Sequence, residues 1–140
     1  MARILGIDYG TKKTGLACTD PLQIICSPLE TIPTSELFSY LEKYLREEDV
    51  ETIVVGDPIN LDGSPAQIAH LVVGFTRKLR KLYPDIEIVL QDERFSSFEA
   101  KQIILKSGLK KKKRRDKTLV DKVSAAIILQ SFMDSKSKLK

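Results

Sequence analysis

The 140-residue sequence predicts an α/β protein on a five-stranded mixed sheet, three antiparallel strands continued by two parallel ones, with helices flanking it. Three observations carry this. Three strand-like runs follow one another through short turns at the start of the chain. Helical and strand-like segments then alternate, as parallel strands joined by helical crossovers require. The run Thr52–Gly56 is short and continuously apolar, the character of a strand buried on both faces.

The first strand is read at residues 3–8, followed by a turn containing Gly10 and strands at 14–19 and 23–31. A helix starts after Pro33, with Thr34 or Ser35 as N-cap. Its apolar residues Leu37, Phe38, Leu41, Tyr44 and Leu45 recur at three-to-four spacing, which makes it amphipathic. After the strand at Thr52–Gly56, a loop through Asp62-Gly63-Ser64 leads to a helix over 65–82. That helix carries Ile68, Leu71, Val72, Phe75, Leu79 and Leu82 as its apolar stripe. A strand at 86–91 runs into Asp92-Glu93-Arg94, and helices at 97–106 and 118–133 follow. Residues 1–135 are read as one domain and 136–140 as a short basic tail, with no internal repeat.

Composition sets the class. Hydrophobic residues make up 42% and charged residues 30%, and no apolar stretch nears the roughly 20 residues that span a bilayer. Met1-Ala2-Arg3 opens no signal-peptide pattern, so a cytoplasmic protein without membrane partners is expected. Cys18 and Cys26 fall on adjacent strands and are expected to be reduced core residues. His70 sits in a helix with no second ligand spaced for zinc.

Charge is lopsided along the chain. Residues 1–100 carry 10 basic and 16 acidic side chains, whereas residues 101–140 carry 13 basic and 3 acidic. Most of the excess lies in Lys110, Lys111, Lys112, Lys113, Arg114 and Arg115, which follow Ser107-Gly108 and are read as a loop. Cations packed this densely repel one another unless a polyanion compensates them, and a phosphate backbone does so with release of counterions. A solvated loop that only aids solubility is the plainer alternative.

Asp8 carries most of the functional signal. It ends a buried strand beside Gly10, and a carboxylate there is costly unless it is hydrogen-bonded, paired or bound to a metal. Hard cations such as Mg²⁺ take oxygen ligands of this kind. In a mixed sheet the carboxyl end of the first strand can lie beside those of the two later parallel strands, where open α/β sheets bind ligands. Asp8 and the Asp92-Glu93 pair are then candidates to converge.

Four blocks stand out: Gly6-Ile-Asp8-Tyr-Gly10-Thr-Lys-Lys-Thr-Gly15-Leu-Ala, Asp62-Gly63-Ser64, Asp92-Glu-Arg94-Phe-Ser-Ser97 and Val120-Asp121-Lys-Val-Ser-Ala-Ala126-Ile-Ile-Leu-Gln130. In this order they resemble the YqgF (RuvX) family, also described as pre-16S rRNA nucleases or Holliday-junction-resolvase-like proteins. Together they cover nearly the whole chain. The resemblance implies an RNase H-like fold, a bacterial nuclease dependent on Mg²⁺ or Mn²⁺, and a role in 5′-end processing of ribosomal RNA. It also implies the catalytic set Asp8, Asp92, Glu93 and Asp121. Two cations about 4 Å apart can activate the attacking water and neutralise the leaving oxygen of a phosphodiester. On that pattern Asp8, Glu93 and Asp121 are the metal ligands and Asp92 a support, since neighbouring strand residues point to opposite faces. Arg94, Lys12, Lys13 and Lys110 to Arg115 become the track for the nucleic-acid backbone.

Each residue also has a plainer reading. Asp121 opens the last predicted helix, where any carboxylate gains about 0.3–1 kcal/mol from the macrodipole. Asp92-Glu93-Arg94 reads equally as a loop with an internal ion pair, and Asp62-Gly63 as a turn. The chain also departs from the family pattern. It has Gly56-Asp57-Pro58 where Gly-Leu-Pro is usual, Asp116 interrupts the basic run, and Phe95-Ser96-Ser97 replaces Leu-Thr-Thr.

Three other functions compete. Asp8-Tyr-Gly10-Thr11 also resembles the opening turn of actin-like and sugar-kinase-like ATPases, but 140 residues cannot make their two lobes. A junction resolvase acting on branched DNA would share the chemistry and need a two-fold dimer. A non-catalytic RNA- or ribosome-binding module would use only the basic loop. Precursor rRNA is the expected partner ahead of branched DNA, with the ribosome a further candidate and the chain a monomer or homodimer.

Overall fold

A computed structural model of the chain describes residues 2–58, 66–92 and 117–138. Among them five strands form one sheet: β1 (Arg3–Asp8), β2 (Lys13–Thr19), β3 (Cys26–Pro33), β4 (Val50–Asp57) and β5 (Glu87–Asp92). Their spatial order is β3-β2-β1-β4-β5. β2 runs antiparallel to β1 and β3, and β4 runs parallel to β1 and β5. The expected three-plus-two sheet is therefore the one observed.

Among the described residues, three α-helices cover the two faces: α1 (Leu37–Glu47), α2 (Ala69–Leu82) and α3 (Lys117–Lys138). Alternation along the strands sorts side chains into two cores. Leu5, Ile7, Leu16, Ile53, Val55 and Ile88 pack with Leu37 and Leu41 of α1 and Val72, Phe75 and Leu79 of α2. Ile4, Ala17 and Val54 face the other way, against Ala125, Ile128 and Leu129 of α3.

The α3 face is built for close approach. A Cβ at Gly6 would sit 3.0 Å from the Ala125 carbonyl oxygen and 2.9 Å from the Leu129 Cβ. One at Gly15 would collide with the Asp121 carbonyl. Two strand glycines thus let helix backbone rest directly on β1 and β2, the close backbone approach that glycine within a strand permits.

Several expectations shift. Neither Thr34 nor Ser35 caps the first helix: Thr34–Glu36 form a 3₁₀ turn that leads into α1, and no side chain caps either segment. The Thr34 hydroxyl is used elsewhere, on the β1–β2 turn. The regular part of α2 begins at Ala69 and buries Thr76 in its stripe, while Leu71 and Leu82 are 39% and 51% exposed. α3 continues to Lys138, so most of the expected tail is helical. The first turn of α3 contains no acidic residue. Asp121 therefore lies one turn in, beyond the stretch where the macrodipole is strongest. Cys18 joins the α1/α2 core and Cys26 packs against the α3 core, so the two free thiols face opposite sides of the sheet. His70 is exposed on α2, its Nδ1 against the Gln67 carbonyl. The expected helix at 97–106, the basic loop and the Asp62-Gly63-Ser64 turn lie outside the described residues. Among the described residues no helix is long and apolar enough to cross a membrane.

This packing sets three expected outcomes. Gly15→Ala drives a methyl into the Asp121 carbonyl and should cost at least about 2 kcal/mol by urea denaturation. Gly74→Ala, with nothing near its new Cβ on α2, should instead gain about 0.5–1 kcal/mol. Burial, reinforced by the Asp134 carboxylate, pushes the Cys26 thiol up to about 11 from 9.0. The stability this thiol supports is complete below pH 9 and lost as pH rises toward 11. The fall in melting temperature across that window should be smaller in Cys26→Ala.

Candidate functional site

The site is built from the carboxyl ends of the parallel strands and the start of α3. Ile7 lies in the α1/α2 core and Tyr9 packs against it, its ring 4.9 Å from that of Phe75. Asp8, held between them, faces the α3 side, half-buried. Its cross-strand partner is Gly15, and Gly15 is the residue on which the Asp121 backbone rests. Asp8 and Asp121, 113 positions apart in sequence, are thereby brought to one spot.

The later strands end at the same edge. Ile7 is level with Val55, and Gly56 with Gln91, so Asp8, Gly56 and Gln91 form one row facing α3. Asp57 and Asp92 form the next row, on the α1/α2 face. Asp92 is exposed there and turned away from the Asp8 face. The carboxylate that replaces the usual leucine, Asp57, therefore stands beside Asp92 and not beside Asp8. Asp8, Asp92 and Asp121 each have interactions within the protein. Glu93, Arg94 and Lys110 to Arg115 lie outside the described residues.

The turn after Asp8 is fixed by a residue that sequence reasoning assigned to a helix cap. The Thr34 hydroxyl donates to the Gly10 carbonyl at 2.7 Å, and its backbone N–H donates to the Lys12 carbonyl at 2.9 Å. With that proton committed, the buried Thr14 hydroxyl must donate to Thr34 Oγ1, at 2.9 Å. Lys12 and Lys13 stand exposed on this turn. The hydrogen-bonded staple thus fixes the backbone of the turn that carries both lysines.

The donor set suits a hard divalent cation. Asp8 and Asp121 supply carboxylate oxygens, and Ser124, one turn beyond Asp121, has a fully buried hydroxyl with no hydrogen-bond partner. No group of three or more acidic, histidine or cysteine side chains able to hold a metal occurs among the described residues. A mononuclear or dinuclear site would draw its remaining ligands from outside them or from water. The residues missed by sequence reasoning are Gln91, Thr34 in its staple role and Ser124. Only the tertiary contacts single them out.

Comparison with known proteins bears on this geometry. The family model described as "RuvX: Holliday junction resolvase" matches residues 2–135. A Phocaeicola vulgatus protein named pre-16S rRNA nuclease is 49% identical over 136 residues, covering 97% of this chain and 98% of its own. A protein of the same name from Christiangramia forsetii is 48% identical over 133 residues, 95% and 98% of the two chains. The crystal structure of Fowlpox virus resolvase with Holliday junction DNA superposes with a TM-score of 0.57 at 12% identity, covering 95% of this chain and 97% of that one. The last is a likeness of fold, RNase H-like as the sequence resemblance implied.

The staple generates a prediction of its own. Thr34→Val removes the hydrogen bond to Gly10 and strands the buried Thr14 hydroxyl, costing about 1–3 kcal/mol. Thr34→Ser should recover most of that loss. In a denaturation double-mutant cycle, Thr14→Val and Thr34→Val should cost less together than the sum of the two singly.

Proposed function

The chain belongs to the RuvX family, and from that membership we propose that it is a divalent-cation-dependent nuclease that matures the 5′ end of pre-16S rRNA in the bacterial cytoplasm. The observation that carries this reading is the meeting of Asp8 and Asp121 on the α3 face of the sheet. Substrate class is supported by relatives at 48–49% identity, matched along nearly their full length and named for pre-16S rRNA.

Asp8 and Asp121 are the described residues that would hold the cation, with Glu93 proposed as a further ligand. The bound cation would supply an activated water and neutralise charge on the leaving oxygen. The chain's own groups then do the rest. Asp8 and Asp121 are fixed by helix-on-sheet contact, so little rearrangement is needed when phosphate arrives. Lys12 and Lys13 meet the backbone phosphates next to the scissile one, and Lys110 to Arg115 with Arg94 extend the cationic track. These contacts position the substrate and carry no base information. Asp92, on the other face, acts as a support of its strand end and not as a ligand.

A second reading has its own support. The family model is described by junction resolution, and the viral resolvase has the same fold. Resolution of a four-way junction requires a two-fold dimer, so oligomeric state and substrate preference decide between the readings together.

Cleavage of precursor 16S rRNA, single-stranded RNA and four-way DNA junctions, each with Mg²⁺, Mn²⁺ or EDTA, tests both. Precursor rRNA should be cut with either cation, EDTA should stop it, and Asp8→Asn should lower the rate at least about 100-fold. Binding should fall linearly in log K with log salt. Preferred cutting of junctions by a dimer would install the second reading. Salt-sensitive RNA binding with no cutting by the wild type would leave only a binding module.

A further inference from the structure

Among the described residues, the Ser124 hydroxyl is the buried side-chain polar atom that lacks a hydrogen-bond partner. The residue is 0% exposed. A serine inside a helix can return its proton to the carbonyl one turn back, and a buried hydroxyl left unpaired is destabilising. Alanine would serve packing and helix propensity better at such a position. Among the described residues, no protein group partners this hydroxyl.

Its place in the fold says what it faces. Along α3, Ser124 lies between the Asp121 carbonyl, seated on Gly15, and the Ala125 carbonyl, seated on Gly6. Its height is thus that of Gly6 to Asp8 on β1, because Asp8 pairs with Gly15. Around the helix, Ser124 precedes Ser135 by eleven residues, about three turns, so the two share one stripe. Ser135 and Phe132 line a groove with Thr52 of β4 and Val89 and Gln91 of β5. The Ser124 stripe therefore faces β4 and β5. At the Asp8 level β4 contributes Gly56, which has no side chain to fill the space or pair with the hydroxyl.

We infer that Ser124 is a positioning residue for the cation-loaded site, its hydroxyl donating a hydrogen bond to a hydration water of a divalent cation held by Asp8 and Asp121. The inference rests on the nuclease reading and names a residue that reading does not use. Mg²⁺ sheds its waters reluctantly and usually keeps several, so groups that hold those waters help set its affinity. The otherwise unpaired hydroxyl then gains its partner only when the cation arrives.

Calorimetric titration with Mn²⁺ of wild type, Ser124→Ala and Asp8→Asn, together with melting temperatures in EDTA, tests this. Ser124→Ala should melt in EDTA at or above the wild-type temperature, because an unpaired buried hydroxyl has been removed. Its Mn²⁺ dissociation constant should rise about tenfold, the usual scale for losing an outer-shell partner. The Mg²⁺ concentration giving half-maximal cleavage should rise in step. A dissociation constant within twofold of wild type overturns the inference and leaves the nuclease reading standing. So does a lowered melting temperature in EDTA with unchanged affinity, which would make the hydroxyl structural. No Mn²⁺ binding by wild type overturns both.

Discussion

The seating of α3 on Gly6 and Gly15 is the contact on which the rest of the structure depends. A helix packed through ordinary side chains stands off a sheet by the thickness of those side chains. Here the carbonyls of Asp121 and Ala125 come down onto bare strand backbone, and Ala17 and Ala125 keep part of the core beneath small beside the larger Ile4, Ile128 and Leu129. That seating sets both the height of α3 and its rotation. A methyl group at Gly15 would shift Asp121 away from Asp8, so the same atoms that stabilise the fold define the distance between the site's two carboxylates. Stability and site geometry are one constraint here, and cannot be tuned separately at this point in the sheet.

The opposite face does a different job. Ile7 and Tyr9 are drawn into the larger core, where Tyr9, Phe75 and Phe38 form a chain of ring contacts and the Lys78 ammonium lies 4.2 Å over Phe38. Alternation then leaves Asp8 no choice of face. The Thr34 staple closes the remaining freedom by binding the turn that follows. Asp8 is thus determined from three directions: its own strand neighbours, the helix above it and the turn beyond it. Such preorganisation matters for an electrostatic site, because groups already aimed need not reorganise when charge develops.

Sequence reasoning read the parts governed by local periodicity and missed those governed by contact. The three-plus-two mixed sheet followed from turn lengths and helical crossovers, and Asp8 stood out because a carboxylate at the end of a buried strand demands a partner. Thr34 was legible as a hydroxyl next to a helix, where capping is the common use, but its competing partner, the Gly10 carbonyl, comes from 24 residues away. Leu71 and Leu82 fit the 3.6-residue period yet fall outside the buried stripe, whose centre is set by where α2 meets the sheet. Cys18 and Cys26 sit on neighbouring strands, but the register pairs Thr19 with Cys26, which puts the two thiols on opposite faces. Ser124 looked like any helical serine. A missing hydrogen bond is a property of three-dimensional surroundings and leaves no trace in spacing.

The charge asymmetry gains its sense from the same geometry. An acidic first hundred residues and a basic remainder would be an awkward combination for a protein whose substrate is a polyanion, since carboxylates at the site repel phosphate. The described structure shows how the conflict is handled locally. Asp57 and Asp92 point their charge to the far face, while the α3 face keeps only Asp8 and Asp121 from the described acidic residues at the strand ends. Lys12 and Lys13 border that face from the turn, and Lys122 follows Asp121 on the helix. The strand-end carboxylates are thus divided between the two faces, and the pair on the α3 side has basic residues of the turn and of the helix as its near neighbours in sequence. Partition of charge between the two faces, rather than net charge, lets an acidic centre serve an anionic substrate.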